Sequence, residues 1–464
     1  MKSYKSLVNV IMEKINFDYS DNPEALRIID MIENTKKNIF VAGKAGAGKT
    51  CLIKHIMMNT KKKVALAAPT GIAAVNVGGQ TLHSLLCLPT SPYVPNTDAK
   101  GEYLPTIKDN PSKLSKWNKN KVALFKNLEL LIIDEISMVR SDVLDMVSDA
   151  LCCFRDSLKP FGGVQLLMVG DLFQLPPVID SEQWKLLEGK YKTGFFFDSL
   201  ALQKRGFESI QLQKIYRQSD QRFIDVLNNI RLGFYVESDF LLLNSRYFPR
   251  YYGETFNPIE TVLCSRKDEA ARINQMGLQS LVGDQKFYEA EIDGDFSKSK
   301  MPCENTLYLR KGAKVMITEN DWENGYQNGT MAIVEDMSDS CIQVRLLEDG
   351  REIPIFKKEW HAIEHYLSSD GKILQRSIGT CLQFPLRLAY GITIHKSQGL
   401  TFDQITIDPH CIFAEGQLYV ALSRARSLEG IRLLNQVTKR HIKISQPVLS
   451  FYLRVFGADL LLDM

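Results

Sequence analysis

Gly43-Lys44-Ala45-Gly46-Ala47-Gly48-Lys49-Thr50 restricts this chain more than any other stretch of it. The segment follows a short apolar run, NIFVAG (38–43), and leads into a helix-compatible stretch, so the spacing predicts strand, loop and helix in that order. Glycines let the backbone curl until its amides and the N-terminus of the helix face one point, which makes a cradle for phosphate oxygens. In such a cradle Lys49 reaches the β- and γ-phosphates and the Thr50 hydroxyl ligates Mg²⁺. Further runs, KVALAAPT (63–70), LELLIIDE (128–135) and VQLLMVGD (164–171), are apolar on both faces and read as buried parallel strands. Ser141 starts a helix with Val143, Val147, Ala150 and Phe154 along one face.

The second half repeats this style in TVLCS (261–265), QITID (404–408) and IRLLNQV (431–437), so the expected class is α/β with two parallel-sheet domains. Two stretches interrupt the pattern. Residues 88–121 carry Pro89, Pro92, Pro95, Pro105 and Pro111 with Lys108, Lys113, Lys116, Lys119 and Lys121, a long insertion of the kind that is more often a working part than a linker. Residues 330–384 alternate or are β-branched, with turns at Asp349-Gly350 and Asp370-Gly371, and read as an all-β inserted module. The formal charge is only +3, so any nucleic-acid surface must be a local groove. Nine cysteines without paired Cys-x-x-Cys arrays point to free thiols in a reducing compartment. With no apolar stretch of membrane-spanning length and no convincing leader in MKSYKSLVNVIMEKINFDYS, the expected location is the cytosol.

The chemistry gathers at strand ends. Asp134-Glu135 closes LELLIIDE; one carboxylate there can hold Mg²⁺ while its neighbour orients and deprotonates an attacking water. With the phosphate loop, this pair predicts a nucleoside triphosphatase. Gln174, in GDLFQLPP, is placed to sense a γ-phosphate, although two prolines also suit an ordinary turn. Thr70 and Gly71 in APTGIAA, and His83 and Ser84 in TLHS, offer small or hydroxyl groups at strand ends, as backbone-phosphate contacts require. In the second half, Thr393-Ile394-His395-Lys396-Ser397-Gln398 is dense in polar groups. In YVALSRAR, Arg424 and Arg426 stand two apart, so on a helix one can face a cleft while the other meets solvent. Arg424, or Arg217 in LQKIYRQ, can serve as an arginine finger. His361-Ala-Ile-Glu364-His365 matches an inverted zinc-protease pattern, but it falls in the β-rich module, where a strand spreads the two histidines too far apart for joint ligation.

In their order GKAGAGKT, APTGIAA, TLHSLL, IIDEISMV, PFGGVQLLMVGDLFQLPPV, LQKIYRQ, ITIHKSQGLTFD and YVALSRAR, these segments resemble the petite-integration-frequency (Pif) helicases of superfamily one, in the compact bacterial form. The resemblance implies two RecA-like P-loop domains with ATP in the cleft and single-stranded DNA across their tops. It divides the chain into a first ATPase domain over 1–200 with a strand-separating wedge at 88–121. A second domain covers 201–329 and 385–464, and an SH3-like module covers 330–384. Family roles fall on Lys49 and Thr50 (phosphate and Mg²⁺), Asp134 and Glu135 (Mg²⁺ and water), Gln174 (γ-phosphate coupling), and Arg217 and Arg424 (cross-cleft arginines). Thr70, Gly71, His83, Ser84, His395, Lys396 and Ser397 are the candidates on the DNA side. The implied activity is ATP-dependent, 5′-to-3′ unwinding by a monomer, with single-stranded, duplex or forked DNA and RNA–DNA hybrids as candidate partners. An ATP-gated single-strand clamp that unwinds nothing would use the same motifs. The family's upstream adenine-reading glutamine is missing from Asp21-Asn22-Pro23-Glu24; Asn22 offers the same donor and acceptor on a shorter stem.

Overall fold

The computed structural model describes residues 19–98, 101–104, 119–156, 158–218, 220–248, 261–296, 303–319, 321, 326, 328–367 and 373–457. The first sheet is parallel throughout and holds β1 (Ile39–Gly43), β2 (Val64–Ala68), β3 (Gln80–Thr81), β4 (Leu130–Ile133), β5 (Gln165–Gly170) and β6 (Glu208–Leu212). Their spatial order is β3-β2-β4-β5-β1-β6. β1, β4 and β5 are buried along their whole length, as strands covered on both faces must be. In register, Val41 stands opposite Val169 and Leu66 opposite Ile132. Helix α1 (Pro23–Asn34) precedes the sheet, and α2 (Lys49–Asn59) follows the phosphate loop. The loops after β1, β4 and β5 leave the same edge of the sheet, at the carboxyl ends of its strands; open α/β sheets bind their ligands there.

The second sheet is shorter and also parallel: β7 (Val262–Cys264), β8 (Gly391–Thr393), β9 (Ile405–Ile407) and β10 (Ile431–Leu433), in the order β8-β7-β9-β10. Its core takes in Ile392, Ile407, Val420 and Leu433, together with Phe223 and Val226 from an amphipathic helix over Gln221–Leu232. Ala45 and Leu175, from loops of the first half, lie in this same core, so the two halves meet without a solvent layer at that point.

Three expected boundaries move. β6 pairs with β1 and buries Ile210 and Leu212 against the α1 and α2 side of the first sheet, so that domain runs past residue 200. Residues 385–464 are expected in the second domain, yet 446–456 form a helix (Gln446–Phe456) whose Val448, Phe451 and Tyr452 are buried in the first core with Phe40 and Phe196. Spacing of i, i+3 and i+4 puts those three side chains on one stripe, and the aromatic wall of the first half is what the stripe covers. Phe451 stacks on Phe197 with centroids 4.2 Å apart. The antiparallel module begins near Lys286, not at residue 330, because Lys286–Glu289 pairs with Thr306–Leu309, and Lys314–Ile317 sits between Met331–Met337 and Leu386–Leu388. A long hairpin, Lys358–Leu367 with Ile373–Gln383, comes against the helix Lys119–Asn127 of the first half. His361 lies on that hairpin's first strand, and among the described residues no cluster of three metal-ligating side chains occurs.

The helix α3 (Ser141–Cys152) is buried on every side, where the sequence predicted one apolar face, and Phe154 lies beyond its end. The burial is possible because its carboxylates are saturated with donors. Asp145 accepts from Ser199 Oγ (2.5 Å), Tyr191 OH (2.7 Å) and the Leu200 and Ala201 amides. Asp142 accepts from the Tyr93 amide at 3.0 Å, and Asp149 from the hydroxyls of Tyr93 and Tyr103. These contacts tie the described part of the 88–121 insertion to the first core. Pro105, Pro111, Lys108, Lys113 and Lys116, and the Asp370-Gly371 turn, lie outside the described residues. All nine cysteines are free thiols, and among the described residues no helix is long and apolar enough to cross a membrane.

The placement of the last helix is testable. Phe451→Ala should lower stability by about 3–5 kcal/mol, the range for emptying a buried aromatic site. Urea denaturation measures this, and a loss below about 1 kcal/mol would put the helix outside the first core.

Candidate functional site

The phosphate loop is shaped by two positive-φ glycines, Gly46 (φ 81°) and Gly48 (φ 75°). A Cβ at Gly46 would lie 2.5 Å from the Arg217 Cβ, and one at Gly48 would lie 3.2 Å from the Tyr216 ring. Glycine is therefore required twice over, by backbone conformation and by close approach. Lys49 Nζ donates to the Gly43 and Lys44 carbonyls at 2.7 and 3.0 Å. Burial holds its pKa below the ordinary lysine value, with Arg217 adding to the effect and Asp171, Glu135 and Asp134 opposing it. Thr50 is exposed in the first turn of α2.

Asp134 follows β4 and is buried; burial, with Glu135 beside it, pushes its carboxyl up to about 7. Glu135 has φ 49°, a left-handed conformation that costs a non-glycine residue about 1–2 kcal/mol. Its Oε2 is buried without a hydrogen-bond partner. Burial raises the Glu135 pKa, while the charges of Lys49, Arg424 and Arg217 pull it down. A strained residue with an unsatisfied oxygen, facing three cations, is the kind of backbone cost found at working sites.

Asp171, the residue after β5, is fully buried and accepts from Arg231 Nε and Nη2 at 3.0 and 2.9 Å. Arg231 belongs to α4 (Gln221–Leu232) of the second core and lies between the rings of Phe173 and Tyr452. Tyr419, on α5 (Gln417–Leu422), donates its hydroxyl to Asp171 Oδ2 at 3.0 Å and accepts from the Ala45 amide at 3.1 Å. Gln174 is buried, and its Oε1 accepts from Gln398 Nε2 at 3.4 Å, another link between the halves.

Of the two arginines expected across the cleft, Arg217 lies against the loop and Arg424 lies within range of the Glu135 charge. Arg217 packs on Gly46 and donates to the Ser423 and Gly399 carbonyls at 3.5 and 3.3 Å. Arg424 is 1% exposed and is held by its own half, donating to the Val420 carbonyl (2.9 Å), Ser423 Oγ (2.9 Å) and the Ser397 and Leu400 carbonyls. Burial and Arg217 hold it below the usual arginine value, and its charge acts on Glu135. α5 ends at Leu422, so Arg424 and Arg426 are not on a helix, yet they still diverge: Arg426 is exposed and pairs with Asp403 at 3.0 Å.

Thr70 Oγ1 accepts from the Ala73 amide at the start of the Gly71–Val77 helix, and His83 and Ser84 are half-buried in the helix that Thr81 caps. On the second sheet, His395 is exposed and Lys396 half-buried. Ser397 departs from expectation: it is fully buried with its hydroxyl donating to the Ile394 carbonyl, so it faces inward, where no strand could reach it. Lys396 lines a cleft of about 320 Å³ between the second sheet and the β module, with Lys267, Arg387 and Tyr308 on its walls. Asn22 is the N-cap of α1, with Oδ1 accepting from the Ala25 amide at 3.0 Å and Nδ2 near the Tyr216 hydroxyl at 3.5 Å. Half of the hydrogen-bonding capacity suggested for adenine is thus used by the helix. The sequence reading passed over Asp171, Arg231, Tyr419 and Tyr216; the first was signalled by its place at a strand end, the others by nothing local.

These residues fit a magnesium-bound triphosphate: a loop with amides and Lys49 on one side, Asp134 and Thr50 to hold the metal, and an unpaired carboxylate oxygen opposite. Two protein ligands suffice for Mg²⁺, which keeps waters and phosphate oxygens in its shell.

A family model described as PIF1-like helicase matches residues 21–239. The chain is 35% identical to "ATP-dependent DNA helicase PIF1" of Danio rerio, over 92% of this chain and 63% of that protein. It is 33% identical to "ATP-dependent DNA helicase Pif1" of Bdellovibrio bacteriovorus, over 94% of this chain and 92% of that one. It therefore spans under two thirds of the length of the vertebrate relative and nearly all of the bacterial one. Among solved structures, Bacteroides Pif1 in complex with ADP-AlF4 superposes with a TM-score of 0.85 at 39% identity, covering 96% of this chain and 98% of the other. Bacteroides Pif1 bound to single-stranded DNA superposes with a TM-score of 0.67 at 40% identity, over 96% and 98%.

The raised Asp134 carboxyl has a definite sign. A carboxyl whose folded pKa is about 7 binds its proton more tightly in the native state, so stability is fullest at low pH and is lost as pH rises from about 4 to about 7. Asp134→Asn should therefore raise the nucleotide-free melting temperature at pH 8, leave it little changed at pH 4, and flatten the decline between. Thermal melts across that range check it.

Proposed function

The chain belongs to the PIF1-like helicase family, and from that premise we propose that it is an ATP-dependent DNA helicase moving 5′-to-3′ along single-stranded DNA. The observation that carries the reading is Glu135, which lies beside Asp134 at the end of β4 with its Oε2 buried and unpartnered and within range of the charges of Lys49, Arg217 and Arg424. A triphosphate held there touches both halves at once.

In this reading the loop amides over 43–50 and Lys49 cradle the phosphates, and Thr50 and Asp134 hold Mg²⁺. When bound, the metal would neutralise charge between the β- and γ-oxygens. Glu135 takes the proton of the attacking water; its unpaired Oε2 is the acceptor, and the three cations around it favour the ionised form it needs. Arg217 and Arg424 stabilise charge on the transferred group, Arg424 by leaving the backbone carbonyls that now hold it. Gln174, joined to Gln398, carries the loss of the γ-phosphate to the second half. The half-exposed Tyr216 ring, over Gly48 and beside Asn22, is a platform on which a nucleobase stacks. With Asn22 committed to its helix, selection of adenine is expected to be loose.

The DNA strand crosses the carboxyl edges of both sheets, over Thr70, Gly71, His83 and Ser84 and then His395 and Lys396. The cleft with Lys267, Arg387 and Tyr308 continues that path with two further cations and an aromatic ring. Contacts of this kind reach phosphate and base faces, so sequence preference should be slight. The segment anchored to α3 by Tyr93 and Tyr103 is the wedge at a forked duplex. RNA–DNA hybrids are further substrates, the working unit is a monomer, and it acts on DNA in the cytosol.

Lys49→Ala and Glu135→Gln should each abolish turnover, at least 10³-fold, but only Glu135→Gln should still bind nucleotide well. Steady-state hydrolysis and titration with a fluorescent nucleotide separate the two. On tailed duplexes the wild type should displace the strand only where a 5′ tail is present. Single-strand-stimulated hydrolysis without displacement on either tail would instead mark a clamp.

A further inference from the structure

The hydroxyl of Tyr419 touches both the phosphate loop and the ion pair joining the halves. It accepts from the Ala45 amide at 3.1 Å and donates to Asp171 Oδ2 at 3.0 Å, and Asp171 in turn holds Arg231. Tyr419, Asp171 and Arg231 are 4%, 0% and 1% exposed, so these bonds are shielded from bulk solvent. Tyr419 cannot adjust alone. Gly416 caps α5 with its backbone pressed on the Phe173 and Gln174 carbonyls; a Cβ there would lie 2.3 and 2.4 Å from those oxygens. Any displacement of α5 must clear that contact, and Arg424 stands just past the end of that helix.

We propose that Tyr419 is a positioning residue that reports the state of the phosphate loop to the second half, by competing with phosphate for the Ala45 amide. An anionic phosphate oxygen is a stronger acceptor than a tyrosine hydroxyl, and amides of such loops turn toward phosphate. Once the amide turns, the Tyr419 oxygen loses its donor at a buried position, and the present seating of α5 on the loop is disfavoured. Phosphate binding thus opposes the seating in which this bond is intact. The alternative seating releases Arg424 from the Val420, Ser397 and Leu400 carbonyls and lets it approach the phosphate. Coupling of this kind is reciprocal, so the grip on DNA and the grip on nucleotide must change together. The inference rests on the helicase reading for its DNA arm and is independent of that reading for its nucleotide arm.

The test uses the full chain as Tyr419→Phe, with Tyr452→Phe as companion. The companion removes a hydroxyl that binds Arg231 in the same network but does not touch the loop. The first readout is affinity for ADP–aluminium fluoride with Mg²⁺ and no DNA. Tyr419→Phe removes the competitor and should bind about two- to tenfold tighter, the worth of one hydrogen bond, whereas Tyr452→Phe should bind as wild type does. The second is the ratio of oligothymidine affinities with and without that analogue. It should differ from one by about fivefold or more in the wild type, keep its wild-type value in Tyr452→Phe, and fall toward one in Tyr419→Phe. Unchanged or weaker nucleotide binding in Tyr419→Phe overturns the proposal, because general damage to the interface cannot tighten binding. So does an equal loss of coupling in both variants. A wild type that tightly binds the analogue but no oligothymidine overturns the helicase reading, while the nucleotide arm still decides the role of Tyr419.

Discussion

The ion pair of Asp171 and Arg231 is the constraint on which the rest of the molecule depends. A guanidinium from the second core sits with almost no exposure against a carboxylate from the first, between two aromatic faces. Burial alone would raise the Asp171 pKa, but Arg231 and Lys49 overcome it and hold the carboxyl below its ordinary value. Such a pair adds modest net stability when intact, yet removing one partner strands the other charge and costs about 3–5 kcal/mol. The pair therefore fixes how the halves meet more than how tightly they adhere, and the distances around the phosphate loop follow from it.

The same economy explains the charges in the cleft. Lys49, Arg217 and Arg424 face Asp134, Glu135 and Asp171, and each burial penalty is partly relieved by the opposite sign nearby. The balance is incomplete, since Glu135 keeps an unpaired oxygen and a left-handed backbone. Lys49 and Arg424 spend their donors on main-chain carbonyls. Cations held by carbonyls and a carboxylate with one unpaired oxygen are groups that a triphosphate can rearrange without breaking a folded core.

Much of this could be read from the residues because the relevant physics is local. The glycines of the phosphate loop are dictated by backbone angles, β1, β4 and β5 by apolarity on both faces, and Asp134-Glu135 by its place at the end of such a run. What was hidden depends on partners distant in the chain. β6 reads Glu-Ser-Ile-Gln-Leu, too polar for a central strand, and only its position at the sheet edge accounts for that. Arg231, in a helix with exposed polar neighbours, looks like a solvated charge until Asp171 is brought to it from 60 residues away. Ser397 sits among polar residues that suggest a surface, yet the turn after β8 points it inward. The Gln446–Phe456 helix is plainly amphipathic, but nothing in its stripe says which half it will cover.

That last helix has a mechanical consequence. The chain leaves the first sheet after β6 and returns to the first core at Gln446, so the second half is fastened at both of its ends to the same body. A panel hung on two pins can swing but cannot drift or twist freely, and the strokes open to it reduce to rotation about the line through its attachments.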